Sequence, residues 1–324
     1  EDVVERAESV AAFGADAEVE LLSGEESEYF ASHDEFKGYF SIFEKRVRRC
    51  RPKQSIQDYI RLKKLGHKKP TRAEALQERK QSMRAWSGRD PAHDGSATAL
   101  DDGSGTVLGR MANSLHSGKL RKRASCPVFG FLKERGKFPP AERPEVMFIG
   151  RSNVGKSSLL NALTRSCNAA KCGAQFGVTR EYAWYTSENM PLDVLDVPGY
   201  GYAMGADFGQ PLVDFILGRK SVRTMYVLVD ARTGFTPMDW RWLRELGNRG
   251  PEKVFILTKI DMVKPKELAR VASVVLEDIE GIPRSSKRLL MVASKVGQGM
   301  HDLRQDMCSR AVKFSQRARR AQSK

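Results

Sequence analysis

The chain has 324 residues, 40% of them hydrophobic, which is enough for one full core with a substantial remainder. No run of about 18 apolar residues occurs, so no membrane span is expected. The net charge of +15 favours polyanionic partners, RNA above all, because neutralised phosphates release counterions; a merely basic protein is the alternative. The five cysteines are odd in number and lack CxxC spacing, which argues against a disulfide framework and a zinc site.

The beginning of the chain is strongly acidic. Within the first 28 residues, ten carboxylates stand against a single arginine, Arg6. Runs of like charge are usually solvated, so residues 1–36 are predicted to form an acidic N-terminal tail. A tail that is ordered on a partner is the alternative.

Residues 37–90 are predicted to form a basic helical arm. From Lys45 to Arg84, fifteen Lys or Arg residues stand against three acidic ones, and Ser55 has the position of a helix cap. We expect these helices to pack against an RNA-containing partner; a helical hairpin with a charged outer face is the alternative. Four apolar residues in front of the basic stretch need burial: Tyr39, Phe40, Ile42 and Phe43.

The next segment, residues 91–124, is predicted to be a flexible linker. It is rich in Gly, Ser, Asp and Ala and shows no periodicity, a composition that buries little apolar surface. A short basic cluster ends it, formed by Lys119, Arg121, Lys122 and Arg123.

Residues 125–324 alternate between strand and helix patterns. Short apolar runs predict strands at 146–150, 182–186, 192–197, 225–230, 254–258 and 289–293. Helices are predicted at 156–163, 208–219, 238–248, 266–280 and from about Met300, the last one basic. This alternation indicates an α/β domain, with a mostly parallel sheet and helices on both faces. Ligands of such sheets bind at the carboxyl ends of the strands.

The strongest motif is GRSNVGKSS, from Gly150 to Ser158, which fits G-x-x-x-x-G-K-[ST] between a predicted strand and a predicted helix. Backbone N–H groups of such a loop form an anion cradle, Lys156 supplies a charge to the β- and γ-phosphates, and the Ser157 hydroxyl can ligate Mg²⁺. The predicted phosphate-binding residues are Arg151, Ser152, Asn153, Val154, Gly155, Lys156, Ser157 and Ser158.

Two further segments can serve the metal and the γ-phosphate. Asp196 ends an apolar strand within DVPG and can hold Mg²⁺ through water, while the Gly199 N–H can reach the γ-phosphate. Thr179 lies in an irregular stretch and can close over Mg²⁺; an ordinary surface threonine is the alternative. Lys156, Thr179 and Gly199 are therefore predicted to be catalytic, and Ser157, Thr179 and Asp196 to ligate magnesium.

The base is predicted to be guanine. The motif TKID ends at Asp261, whose two carboxylate oxygens match the adjacent N1–H and 2-amino donors of guanine, a pair that adenine lacks. The stem of Lys259 can lie over the base, and a later segment, ASK, can donate backbone N–H groups to guanine O6. The GTP-binding residues predicted in these two segments are Thr258, Lys259, Asp261, Ala293, Ser294 and Lys295.

Several segments together resemble the EngB (YihA/YsxC-like) GTPases, a branch of the translation-associated P-loop GTPases. They are PEVMFIGRSNVGKSSLLNAL, DVPGYGYA, VLVDAR, LTKIDMV and ASKVGQG, and the resemblance runs roughly from Cys126 to Phe314. It implies a P-loop GTPase fold, GTP/GDP and Mg²⁺ as cofactors, and a GTPase that assists maturation of the large ribosomal subunit. The implied partners are rRNA and ribosomal proteins of a large-subunit precursor and other assembly factors, with no membrane and an otherwise monomeric protein.

The chain also departs from this family. The family usually has PGRTQ around its switch threonine, whereas this chain has FGVTR, which retains Thr179 but places Arg180 after it. The N-terminal 125 residues have no counterpart in the compact bacterial proteins. Such a basic extension looks like that of a eukaryotic organellar member, which implies the mitochondrial matrix, with the plastid as the alternative.

Two residues bear on the rate of hydrolysis. Tyr200 stands where signalling GTPases have a water-orienting glutamine, which predicts slow intrinsic hydrolysis stimulated by a ribosomal precursor; a role of Tyr200 in packing is compatible with this. Related GTPases with Asn at the position of Asn153 bind potassium beside the phosphates, so K⁺ is a possible cofactor; stabilisation of the loop is the alternative.

Deletion of residues 1–118 is expected to leave nucleotide binding intact and to weaken association with the particle. Two other functions remain open from the sequence. One is a scaffold whose GTP is structural and rarely hydrolysed. The other is a tRNA-modification-type GTPase, although no additional catalytic domain is recognisable.

Overall fold

The computed structural model describes residues 33–66, 121–127, 138–164, 181–187, 190–200 and 209–322. Residues 1–32 of the predicted acidic tail, Thr179 and the arm beyond Gly66 lie outside these residues. The predicted end of the tail at residue 36 is wrong, because residues 33–36 form the first turn of a helix. The strands are β1 (Arg121–Pro127), β2 (Glu145–Gly150), β3 (Glu181–Ser187), β4 (Met190–Asp196), β5 (Val222–Asp230), β6 (Glu252–Thr258) and β7 (Ser285–Met291). The helices are α1 (His33–Arg49), α2 (Gln54–Leu62), α3 (Lys156–Thr164), α4 (Gly209–Gly218), α5 (Pro237–Leu246), α6 (Pro265–Glu280) and α7 (Met300–Gln322).

The described strands form a single mixed sheet in the order β1-β3-β4-β2-β5-β6-β7. The strands β4, β2, β5, β6 and β7 run parallel to one another, and β1 and β3 pair antiparallel at one edge. Parallel strands need crossover connections, and the helices between them supply these. The predicted mostly parallel sheet is therefore confirmed.

Helices cover both faces of the sheet, and β2 is therefore buried along its whole length. Val146 and Phe148 point into a cluster that includes residues of α3 and α7. Met147 and Ile149 point into a second cluster that includes residues of α4, α5 and α6. This alternation along one strand is the expected signature of a sheet enclosed between two helical layers.

The sequence analysis located the central elements well and the edges of the sheet poorly. The four helices predicted between residues 156 and 280 correspond to α3, α4, α5 and α6. Their predicted first and last residues differ from the observed ones by at most two positions. At one edge, β7 begins at Ser285 rather than at residue 289, and exposed charged residues form part of it. At the other edge, β1 begins at Arg121, inside the segment that was predicted to be linker. Edge strands pair through their backbone and tolerate charged side chains, so apolar runs do not reveal them.

The described part of the basic arm packs on the GTPase domain. Tyr39, Ile42 and Phe43 of α1 are buried, as their apolar character required, and the Trp240 indole N–H of α5 donates a hydrogen bond of 2.9 Å to the Tyr39 hydroxyl. The second helix begins at Gln54 without a side-chain cap, so the predicted cap at Ser55 is wrong. Both helices contact α6.

An ion pair fixes the docking of α1. Arg46 donates a hydrogen bond of 2.8 Å to Asp278 of α6, whose carboxylate is almost fully buried. Burial raises the pKa of Asp278 to about 6, although Arg46 opposes that shift.

The predicted boundaries at residues 90 and 91 lie outside the described part of the chain and stay predictions. Within the described residues, none of the helices combines the length and apolar character that crossing a membrane requires.

Candidate functional site

The loop between β2 and α3 has the backbone geometry of a phosphate cradle. Asn153 and Gly155 adopt positive φ angles of 62° and 109°, the second of which favours glycine. A Cβ added at Gly150 would lie 2.8 Å from the Val154 side chain and 3.1 Å from Leu228. Glycine is therefore required at both positions of the motif, at Gly155 by its backbone conformation and at Gly150 by its close neighbours.

Lys156 and Asp196 meet across this loop. The Lys156 ammonium group donates a hydrogen bond of 2.5 Å to Asp196, and both side chains are buried. Burial raises the pKa of Asp196, and the charge of Lys156 opposes that shift. The predicted phosphate ligand and the predicted magnesium ligand thus share one pocket at the carboxyl ends of β2 and β4.

The segment after β4 lies directly against the phosphate loop. The Ser152 N–H donates to the Tyr200 carbonyl at 2.9 Å. A Cβ added at Gly199 would lie 3.0 Å from the Ser152 nitrogen, so only glycine lets the two backbones approach this closely. The structure therefore places Gly199 beside the phosphate loop, as the motif predicted.

The side chain of Tyr200 points into the core. It is 5% exposed, packs beside Trp242, and its hydroxyl donates to Asp239 of α5. Burial raises the pKa of Tyr200, and the charge of Asp239 adds to the shift. In this conformation Tyr200 anchors the segment after Gly199 to α5, which supports the packing interpretation of this residue.

A residue that the sequence analysis did not single out organises the centre of the site. Asp230 ends β5 with no exposed surface, and its carboxylate accepts hydrogen bonds from Arg232 at 2.8 Å and from Lys259 at 2.9 Å. Burial would raise the pKa of Asp230, but these hydrogen bonds outweigh it and lower the pKa to about 2. Arg151 of the phosphate loop lies 3.6 Å from the same carboxylate. The only sequence signal was an acidic residue at the end of a buried strand, in VLVDAR.

Lys259 and Thr258 tie the phosphate loop to the base-binding segment. The Lys259 ammonium group donates a hydrogen bond of 2.5 Å to the Asn153 carbonyl. The buried Thr258 hydroxyl donates to the Val154 carbonyl at 2.8 Å. This hydrogen bond makes Thr258 a positioning residue for the phosphate loop, and its predicted part in GTP binding stays a prediction.

Asp261 and the segment 293–295 lie at the neighbouring strand ends. Asp261 sits half-buried in a short 3-10 helix, Ile260–Met262, and makes no hydrogen bond within the described part of the chain. The Ala293 N–H already donates a hydrogen bond of 3.0 Å to the Gln298 carbonyl, so it is not free to donate to guanine. Of the three donors predicted for guanine O6, Ser294 and Lys295 therefore remain the candidates.

The ionised state of Asp230 should stabilise the fold in a pH-dependent way. Its pKa of about 2 in the folded chain lies below the ordinary value of 3.8, so the stabilisation is present above about pH 4 and lost as the pH falls towards 2. We predict that Asp230→Asn lowers the free energy of unfolding by about 2 kcal/mol at pH 7, with a smaller loss at pH 3. Guanidinium unfolding followed by circular dichroism at both pH values measures this.

The matched control is Glu44→Gln, which changes an exposed carboxylate paired with Arg48 on the surface of α1. It should shift the unfolding free energy by less than about 0.5 kcal/mol. Equal losses for Asp230→Asn at pH 7 and pH 3 would show that the carboxylate charge is not what stabilises the site.

Comparison with known proteins agrees with this geometry. The family model described as "50S ribosome-binding GTPase" matches residues 145–259. The probable GTP-binding protein EngB of Rhodopseudomonas palustris (strain BisB18) is 38% identical over 175 residues, which cover 52% of this chain and 81% of that protein. The protein of the same name from Rhizobium meliloti (strain 1021) is 36% identical over 203 residues, covering 56% of this chain and 94% of the relative.

Among solved structures, a crystal structure of a probable GTP-binding protein engB shares 25% sequence identity with a TM-score of 0.40, covering 52% of this chain and 98% of that one. The sequence relatives decide the family, because identity above 30% extends over more than four fifths of them. The chain belongs to the EngB family and is a P-loop GTPase.

Proposed function

We propose that this chain is a GTP-hydrolysing assembly factor for the large ribosomal subunit. The observation that carries the nucleotide part is that Lys156, Asp196 and Asp261 all lie at the carboxyl ends of β2, β4 and β6. Among the described residues, the Asp261 carboxylate has no hydrogen-bond partner. The ribosomal part is supported by the matched family model, whose description names 50S ribosome binding. The charge of +15 supports a partner that contains RNA.

The residues of the site fit a Mg²⁺–triphosphate group. The buried Asp196 carboxylate is paired with the ammonium group of Lys156, which supports a site that can accommodate a cation beside Asp196. Ser157, in the first turn of α3, and Asp196 would hold Mg²⁺, which neutralises charge on the β- and γ-phosphates when bound. Thr179, outside the described residues, is proposed as the third ligand.

The chain's own groups would bind the phosphates and leave hydrolysis slow. The backbone from Arg151 to Gly155 and the Gly199 N–H would hold the phosphate oxygens, and Lys156 would compensate their charge. Tyr200 does not offer a polar group to an attacking water, because its hydroxyl is bound to Asp239 in the core. We therefore propose slow intrinsic turnover that the ribosomal precursor stimulates, and multiple-turnover assays with and without particles separate this from a scaffold with structural GTP.

Asp261 is proposed to select the guanine base. We predict that Asp261→Asn weakens GTP binding about 100-fold, because two hydrogen bonds to a charged acceptor are lost. The variant should gain affinity for xanthosine triphosphate, since an asparagine amide can donate to the carbonyl that replaces the 2-amino group. Isothermal titration calorimetry with Mg²⁺ and GTP, ATP or XTP measures these affinities.

The control for this test is Asp58→Asn, an exposed aspartate on α2 whose only described bond is with Gln54. Its affinities should equal those of the unmodified chain. If the unmodified chain binds ATP as tightly as GTP, the proposed nucleotide site is wrong.

Potassium is proposed as an additional cofactor at Asn153. The side chain of Asn153 is exposed on the phosphate loop, and the backbone carbonyl of the same residue accepts a hydrogen bond from Lys259. We predict that replacing sodium by potassium raises the rate of GTP hydrolysis roughly tenfold, by adding a positive charge beside the phosphates. Asn153→Gly permits the observed φ of 62° but lacks the amide, so it should hydrolyse GTP at the same rate in both salts. Equal rates for the unmodified chain would remove potassium from the mechanism.

The described arm has the charge distribution expected of an RNA-binding surface. Its apolar side is buried on the GTPase domain, and eight of its basic side chains are exposed, against the two exposed carboxylates Glu44 and Asp58. The exposed basic residues are Lys45, Arg48, Arg49, Arg51, Lys53, Arg61, Lys63 and Lys64. Their density supports phosphate contacts. Deletion of the arm is a poor test, because it would uncover the surface of the GTPase domain that Tyr39 and Phe43 cover, at Trp240 and Gly234.

Charge reversal tests the RNA contact without disturbing the docking of the arm. We predict that the double variant Arg51→Glu with Lys53→Glu weakens GTP-dependent co-sedimentation with large-subunit precursors. The slope of log affinity against log salt concentration should become smaller by about two. The matched control is Lys220→Glu with Arg223→Glu, two exposed charges near the amino end of β5. If both pairs have the same effect, the arm is not the RNA-binding surface.

We also propose that the client is the mitochondrial ribosome, with the plastid ribosome as the alternative. The support is the extension that precedes residue 125, since the bacterial relatives match about half of this chain. Fractionation of organelles from the source cells distinguishes the two locations.

A further inference from the structure

The turn that follows α2 connects the N-terminal arm to both loops that are proposed to recognise guanine. We propose that Gln298 is a positioning residue that clamps the base loop, defined as residues 293–299, to this arm turn, residues 63–66. The inference rests on the proposed guanine site and adds a contact between that site and the N-terminal arm.

Gln298 makes contacts in two directions. Its side-chain amide donates to the Lys64 carbonyl at 3.2 Å and accepts from the Gly66 N–H at 3.3 Å. Its own backbone carbonyl accepts the Ala293 N–H at 3.0 Å. One residue therefore joins the arm turn to the start of the segment whose Ser294 and Lys295 N–H groups are the candidates for guanine O6.

A second contact fixes the other end of the base loop. Asp302, in the first turn of α7, accepts a hydrogen bond of 2.5 Å from the Tyr59 hydroxyl and one of 3.1 Å from the Lys63 ammonium group. Burial would raise the pKa of Asp302, but these two partners outweigh it and lower the pKa. The arm therefore contacts the base loop itself at Gln298 and the helix that follows the loop at Asp302.

The arm turn also packs against the segment that carries Asp261. Leu65 is 1% exposed within the same cluster as Val263, which directly follows the 3-10 helix Ile260–Met262. A Cβ added at Gly66 would lie 2.9 Å from the Val263 carbonyl, and Gly66 has a φ of +71°. Only glycine allows this contact, so the turn is shaped to touch both loops at once.

The expected consequence is tighter binding of the base. A loop that is held in its binding conformation before the nucleotide arrives loses less conformational freedom on binding. The clamp should therefore slow the release of a guanine nucleotide. Phosphate contacts, which come from the loop between β2 and α3, should not depend on it.

The test uses the full chain and compares GDP with ADP, which share their phosphates and differ in the base. In Gln298→Ala, we expect GDP to dissociate about five- to tenfold faster, the effect of two neutral hydrogen bonds, with ADP affinity unchanged. Gln298→Glu keeps the size but places a carboxylate against the Lys64 carbonyl, so it should behave like the alanine variant. The control is Gln57→Ala, a glutamine of α2 whose amide donates to the Pro52 carbonyl away from both loops.

Stopped-flow displacement of a fluorescent GDP analogue gives the rates, and competition titration gives the GDP-to-ADP affinity ratio. An unchanged ratio in both Gln298 variants overturns the clamp. An equal loss of GDP and ADP affinity, with a lower melting temperature, also overturns it, because that result marks a general loss of stability. If the unmodified chain does not prefer GDP to ADP, the proposed guanine site itself fails.

Discussion

The buried carboxylate of Asp230 holds the nucleotide site together. It lies at the end of a central strand and gathers Arg232, Lys259 and Arg151, which belong to three different segments around the phosphate loop. An unpaired charge at such a depth would be strongly destabilising, so the three cations and the carboxylate require one another. The positions of the phosphate loop and of the base-binding segment are coupled through this single group.

The motif residues were predictable because their function depends on backbone spacing. A loop with two glycines and a lysine between a strand and a helix has few other uses, and the pairing of Lys156 with Asp196 follows from adjacent parallel strands. Asp230 was not predictable, because one acidic residue after an apolar strand carries no spacing signal. The hydrogen bond from the Thr258 hydroxyl to the Val154 carbonyl was not predictable either, because the sequence does not show which loop lies beside the end of β6.

The peripheral elements were harder to predict for a different reason. An amphipathic pattern shows that a helix has an apolar face, but it does not show which surface that face covers. Tyr39 and Phe43 were predicted to need burial, but their sequence does not show where, and the GTPase domain covers them. Strand β1, with its sequence RKRASCP, lacks the apolar alternation that reveals interior strands and pairs with β3 through its backbone.

The contact between Phe43 and Gly234 constrains how this chain can change over time. The Phe43 ring occupies the space that a side chain at position 234 would need, and Gly234 has a φ of +64°. A larger residue at 234 therefore expels the ring, while a smaller residue at 43 leaves a void. The positive φ of Gly234 strains any side chain at that position, even when residue 43 is small. Glycine at 234 and an aromatic ring at 43 therefore depend on each other, and a change at either one weakens the seat of the helical extension on the domain.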